Sequence, residues 1–311
     1  MTTDVQLRLR GPIERLDWLH QSLLFAQLSA LAYREEPIAR EAAQQYGFHD
    51  VRFLNKDGAQ AYVLSTDHDR IVAFRGTEPR EWNDIRADLN AVTDLAETVG
   101  RVHRGFKQEV DTLWPDVESL LTDESKAKWL TGHSLGGAMA TICAGRCLAV
   151  PEIQLPAGLF TFGSPRVGNK QYVSAIALVH YRWVNNNDIV TRVPPTWLGY
   201  RHGGREVYLN RDGKVHDVTG WQRTLDRLRG FLGALGQLRI DQFQDHGIHR
   251  YIEYIREAVI ESETVTGDLA VILTMPRRRQ DAGTEPQRGA EPHVLMKPRR
   301  RSETSELRKA A

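Results

Sequence analysis

Lys128-Trp129-Leu130-Thr131-Gly132-His133-Ser134-Leu135-Gly136-Gly137 is the stretch on which the reading of this chain turns. Lys128 to Thr131 reads as a short apolar strand, and Gly132 to Gly136 fits G-x-S-x-G, in which a strand turns so sharply into a helix that the serine is lifted above the sheet edge. A side chain at either glycine would collide across the turn. Gly137, Ala138, Ala140 and Ala144 let the following helix pack closely on a sheet. Chance alone supplies the pattern in about one chain in ten of this length. Its weight comes from context, an apolar strand entering and a small-residue helix leaving.

Working outward, further short apolar runs read as strands: Ala61 to Leu64, Ile71 to Phe74 ending at the turn Arg75-Gly76-Thr77, Leu159 to Phe162, and Val179 to Val184. Glu206 to Leu209 and Gly213 to Asp217 read as a hairpin. Between and around them, Leu16 to Tyr33 has the spacing of an amphipathic helix, Phe106 to Leu121 is a second with Pro115 inside it, and Gly247 to Val259 is the last. The alternation predicts an α/β fold whose largely parallel central sheet is flanked by helices. In the charged segment from Glu78 to Gly100 the sparse apolar residues Trp82, Ile85, Leu89, Val92 and Leu95 recur every three to four positions, which predicts short helical turns on the surface. Trp221 to Ile240 reads as a basic amphipathic helix, a core-packed helix in the plainer reading and a membrane-surface one in the other.

The chain has 311 residues and 41% hydrophobic content, enough for a large core. Its 41 Lys and Arg nearly balance 40 Asp and Glu, so bulk charge gives no argument for nucleic acid. The charge is uneven: Pro276 to Ala311 holds ten basic and five acidic residues, net +5, which leaves −4 for residues 1 to 275. We divide the chain into a folded domain over 1–263 and a basic, disordered tail over 264–311. Cys143 and Cys147 stand four apart in one predicted helix and read as buried thiols, not a disulfide. No secretory leader is visible and no apolar run approaches a membrane span, so the default is a cytoplasmic protein; secretion by another route, or a removed leader, is the alternative. His49, His68, His180, His202 and His216 lack the clustering of metal ligands, and neither a metal nor a cofactor is expected.

An elbow serine needs a base, and the base an orienting carboxylate, in the chain order Ser, Asp, His. Ser134 is the nucleophile. Asp188 follows the strand Val179 to Val184 across Asn185-Asn186-Asn187, placing it beyond a strand's carboxyl end, where sites of open α/β sheets lie. The base is His246 or His249; His246 is favoured because it precedes the last helix in a loop, while Asp245 reads as a helix cap. Arg75 and Arg166, both at strand ends, read as loop-holding residues.

These residues resemble the class 3 lipase family, the fungal triacylglycerol lipase type of α/β hydrolase. Six motifs fall in the family's order: Phe74-Arg75-Gly76-Thr77, Val102-His103-Arg104-Gly105-Phe106, Gly132 to Gly137, Phe162-Gly163-Ser164-Pro165-Arg166-Val167-Gly168-Asn169, Val184-Asn185-Asn186-Asn187-Asp188, and Asp245-His246 ahead of Tyr251. The resemblance covers roughly residues 20 to 260. It implies an α/β-hydrolase fold, a triad of Ser134, Asp188 and His246, an oxyanion hole made by the amides of Thr77 and Leu135, a lid over 78–101, and a helical insertion at 221–240 before the base. The implied activity is hydrolysis of acylglycerols or related fatty-acid esters, with phospholipase A1 activity as the alternative and a catalytically silent lipid-binding module as the non-enzyme one. The implied partners are a lipid or ester substrate and a peripheral lipid surface, with a monomeric chain and no nucleic acid. The segment 78–101 departs from a fat-docking lid in its many charges, which argues against interfacial activation.

Overall fold

The computed structural model describes residues 8–76, 92–123, 125–186, 188–210, 213–216 and 246–274. The strands are β1 (Asp50–Lys56), β2 (Ala59–Ser65), β3 (Asp69–Phe74), β4 (Thr93–Leu95), β5 (Arg101–His103), β6 (Ala127–His133), β7 (Gly158–Phe162), β8 (Gly168–Asn169), β9 (His180–Asn185), β10 (Tyr200–Arg201), β11 (Arg205–Leu209) and β12 (Val215–His216). The described helices are α1 (Trp18–Leu31), α2 (Glu36–Gln45), α3 (Arg104–Leu121), α4 (Leu135–Cys147), α5 (Lys170–Ala175) and α6 (Ile248–Thr274). None of them is long and apolar enough to cross a membrane. The chain groups into two units, residues 1–267 and 268–311. Of the second, only the helical backbone of 268–274 is described.

In the first unit the main sheet has eight strands in the order β1-β2-β3-β6-β7-β9-β11-β12. Its middle five, β3, β6, β7, β9 and β11, are parallel, while β1, β2 and β12 are antiparallel to their neighbours. Successive parallel strands without hairpins require crossover connections, which α3, α4 and α5 supply as far as β9, while 3-10 turns and β10 lie between β9 and β11. One face of the sheet is covered by α1, α2 and α6, the other by α3, α4 and α5. In α3 the buried side chains Phe106, Val110, Leu113, Val117 and Leu121 follow the three-to-four spacing of a single stripe. Asp69 ties the N-terminal turn down: its fully buried carboxylate accepts from Ile13 N at 3.0 Å and Trp129 Nε1 at 2.8 Å.

Register sets the site. Phe74 pairs with Gly132, His133 with Phe162, and Phe162 with Trp183, so β3, β6, β7 and β9 end at one level. The segments following them, at Arg75, Ser134, Gly163 and Asn186, emerge side by side along the carboxyl edge of the sheet.

Three sequence expectations are corrected. α1 is not amphipathic: residues 22 to 29 are all buried, because it lies on β6 and β7 and is also enclosed by α6. The part of 78–100 that is described forms a strand, not helical turns: β4 pairs antiparallel with β5, and Ala96 N donates to Gly100 O to close the reversal. Of the five apolar residues only Val92 and Leu95 are described, and Leu95 alone lies in β4. α6 runs on to Thr274, past Val259. Residues 78–91 of the lid segment lie outside the described residues, as do the insertion 221–240 and the tail beyond Thr274. β4, β5, β8 and β10 make a second, four-stranded antiparallel sheet, and β8 is reached from the carboxyl end of β7 through Gly163 to Val167.

Candidate active site

Ser134 joins β6 to α4 with φ +59° and ψ −130°, a region that non-glycine residues rarely enter. The strain is held by its surroundings. Ser134 N donates to Phe162 O at 2.9 Å, and Ser134 O accepts from Gly137 N at 3.0 Å. A Cβ on Gly132 would lie 2.2 Å from Gly136 O, so the two ends of the elbow touch only because that position is bare. Leu135 opens α4, where an N–H has no helical acceptor by position and the helix dipole favours negative charge.

Asp188 and His246 are brought into direct contact. His246 Nδ1 lies 2.8 Å from Asp188 Oδ2, and both side chains are buried. A carboxylate only accepts, so Nδ1 carries the ring proton and Nε2 is the basic nitrogen. The other carboxylate oxygen accepts from Val190 N at 2.9 Å, and Thr191 Oγ1 donates to Asp188 O at 2.9 Å. His249, the second residue of α6, faces solvent. Thr77 and Asp245 lie outside the described residues. The elbow meets the acid and base at Gly163, which follows Phe162, the residue bonded to Ser134: a Cβ there would fall 2.6 Å from Asp188 Oδ2 and 3.0 Å from His246 Nδ1.

Two supporting groups escaped the sequence reading of roles. Tyr251, one turn into α6, donates its hydroxyl to Asp188 Oδ2 at 2.6 Å and accepts from Asn185 N at 3.0 Å. Complete burial, and then the Asp188 charge, push its pKa well above the usual phenol value, so it remains a donor. His133, the variable residue before the elbow serine, sits 2.6 Å from His246 O through Nε2 and 2.9 Å from the Tyr33 hydroxyl through Nδ1. The carbonyl fixes the proton on Nε2, so Nδ1 accepts from Tyr33. Burial, followed by the neighbouring His246, holds its pKa well below the ordinary value and keeps it neutral. The only sequence signal for either was its place beside a motif.

His103 caps α3, its Nδ1 accepting from Phe106 N at 3.4 Å while its ring stacks on Phe106 at 4.1 Å. Arg75 Nη1 donates to Gln60 Oε1 at 2.8 Å, and Arg166 Nη1 to Pro194 O at 2.8 Å; both hold loops. Cys143 and Cys147 are free and buried. Among the described residues no three His, Cys, Asp or Glu side chains gather as metal ligands would.

Residues 71–197 match the class 3 lipase family. A secreted mono- and diacylglycerol lipase of Fusarium solani is 33% identical over 176 residues, which cover 53% of this chain and 51% of that protein. The chain thus spans about half the length of that relative. Among solved structures, a fungal lipase–inhibitor complex superposes with a TM-score of 0.53 at 26% identity, covering 61% of this chain and 80% of that one. A triacylglycerol lipase whose catalytic centre is a serine-protease triad superposes at 0.52 with 25% identity and the same coverage.

Proposed function

We propose that this chain, whose residues 71–197 match the class 3 lipase family, hydrolyses carboxylic esters of the acylglycerol type by acyl transfer through Ser134. The observation that carries the reading is the buried His246–Asp188 pair, 2.8 Å apart, meeting the strained Ser134 elbow at Gly163. His246 Nε2 takes the Ser134 proton as Oγ attacks the ester carbonyl, and Asp188 holds the imidazole in the required tautomer and stabilises the imidazolium. The amides of Leu135 and Thr77 receive the oxyanion, Leu135 from the helix N-terminus. Collapse of the tetrahedral intermediate returns the proton to the leaving alcohol and leaves an acyl-serine. Water, deprotonated by His246, then attacks the acyl-serine and releases the acid.

A lipid surface as the place of work is supported by exposed apolar side chains on both ends of the small sheet, Leu95 in β4 at 65% and Trp197 ahead of β10 at 79%. The fungal relative acts on mono- and diacylglycerols, and acylglycerol substrates are proposed here by that likeness.

Ser134→Ala tests the reading. Hydrolysis of a p-nitrophenyl ester should be lost, and retention of a tenth or more of wild-type turnover would sink it. A chain-length series of such esters beside a diacylglycerol and a phosphatidylcholine then separates esterase, acylglycerol lipase and phospholipase A1 activity.

A further inference from the structure

Tyr33 is the first residue past the C-cap of α1. Helix and strand run in step there, since four residues of helix rise about 6 Å and two of strand about 6.6 Å. α1 therefore meets β6 in successive rungs: Ser29 Oγ beside Thr131 Oγ1 at 2.9 Å, then the Tyr33 hydroxyl on His133 Nδ1 at 2.9 Å. That second rung pins His133 at both ring nitrogens, because Nε2 donates to His246 O at 2.6 Å. The rings of His133 and His246 lie 4.6 Å apart between centroids, tilted by 33°. Burial, and then the neighbouring His246, hold the His133 pKa well below the ordinary value, so Nδ1 keeps its lone pair for Tyr33.

The same hydroxyl meets the turn after β3. A Cβ on Gly76 would run into it and would lie 2.5 Å from His133 O and 3.3 Å from Gly136 N. The Arg75 guanidinium lies over the Tyr33 ring, 5.8 Å from its centroid, while Arg75 N donates to Gln60 O at 3.0 Å and ties the turn to β2. Turn, elbow and tyrosine thus close on Gly76, as elbow, acid and base close on Gly163. In the sequence Gly76 is followed at once by Thr77, the proposed oxyanion donor. We infer that Tyr33 is a positioning residue for His246: it holds the base through His133 and abuts the Arg75-Gly76 turn, so that base and turn keep a fixed separation. Its effect on rate rests on the esterase reading, and the chain of contacts does not.

Tyr33→Phe keeps a ring under Arg75 and deletes only the hydroxyl. For a soluble p-nitrophenyl ester kcat should fall by about 5- to 10-fold, the worth of one hydrogen bond, with KM little changed. Retention of half or more of the wild-type kcat would overturn the inference. Tyr62→Phe is the control, since Tyr62 donates its hydroxyl to Arg34 O at 3.0 Å, next to Tyr33 in the chain. It should lose comparable stability and keep its kcat; an equal fall in kcat would reduce the Tyr33 effect to loosened packing and overturn the inference. A measurement without substrate separates the inference from the esterase reading. The proton between His246 Nδ1 and Asp188 gives a far-downfield NMR resonance, and the nitrogen shift of His133 Nδ1 reports whether it accepts a hydrogen bond. Both should move in Tyr33→Phe, and either one standing still would overturn the inference. Movement of both in a chain whose wild type hydrolyses no ester would uphold the positioning of His246 and sink the esterase reading alone.

Discussion

Gly163 stands where the acid–base pair leaves no room for a carbon. Its φ is +59°, and an added Cβ would lie 2.6 Å from Asp188 Oδ2 and 3.0 Å from both Cε1 and Nδ1 of His246. Ordinary contact begins at 3.4 Å, so in Gly163→Ala the carboxylate must withdraw by the 0.8 Å difference and the imidazole by 0.4 Å, or the backbone must move Ser134's anchor at Phe162 instead. Either way Ser134, His246 and Asp188, the proposed nucleophile, base and acid, lose their mutual register. A misplacement of about 1 Å costs on the order of 100-fold in rate, so kcat should fall by about 30- to 100-fold. The positive φ adds a stability cost of about 1–2 kcal/mol for an L-residue, a drop of a few degrees in Tm. Gly58 separates the two effects, having φ +89° but nothing within 4 Å of an added Cβ. Gly58→Ala should therefore lose similar stability and keep its kcat. Turnover of a soluble p-nitrophenyl ester, with Tm by circular dichroism, measures both. A Gly163→Ala enzyme that melts as expected yet turns over at a third or more of the wild-type rate would refute the reasoning.

Tyr251→Phe removes a buried donor to Asp188 and strands Asn185 N; stability should fall by about 1–3 kcal/mol, and kcat should fall with KM little changed, in denaturant unfolding and steady-state kinetics. Acid should destabilise the fold through its buried neutral histidines. Burial lowers the pKa of His180 to about 3 and that of His103 to about 4, against an ordinary 6.5. Below 6.5 the unfolded chain takes up protons that the folded chain refuses, so stability is full above that pH and is lost as pH falls toward the folded values. Each such histidine contributes up to about 1.4 kcal/mol per pH unit within its window. His180→Gln should flatten the acid limb of an unfolding series by about that amount.

The parallel core was legible because its strands carry a local signature. Ile71 to Phe74, Lys128 to Thr131 and Leu159 to Phe162 are apolar runs buried on both faces, and such runs declare themselves without their neighbours. β1 declared nothing: it is an edge strand with polar, half-exposed residues, and only its pairing with β2 makes it a strand. The small sheet failed for the same reason, since strands of two or three residues exist by partnership alone. α1 misled in the opposite direction. Its apolar residues fit a helical stripe, but Ser22, Gln27 and Ser29 are buried as well, and two of them find tertiary partners: Ser22 meets Trp183 Nε1 at 3.1 Å and Ser29 meets Thr131 at 2.9 Å.

The site divides along the same line. Ser134 could be read from the sequence because its geometry is imposed by its immediate neighbours: a strand, two glycines and a helix suffice to create the elbow. Asp188 and His246 are 58 residues apart, and no local pattern brings them together. What does so is the common level at which β6, β7 and β9 end, a property of register between strands far apart in sequence. Tyr251 and His133 lie one step further from legibility, since they contact Asp188 and His246 and not Ser134. Tyr251 receives Asn185 N and reaches Asp188; His133 holds the carbonyl of His246. Both act from beside the site: Tyr251 from the first turn of α6, which His246 shortly precedes, and His133 from the end of β6, which Ser134 follows at once. A substitution that shifts α6 should therefore disturb His246 and Asp188 before it disturbs Ser134, the proposed nucleophile.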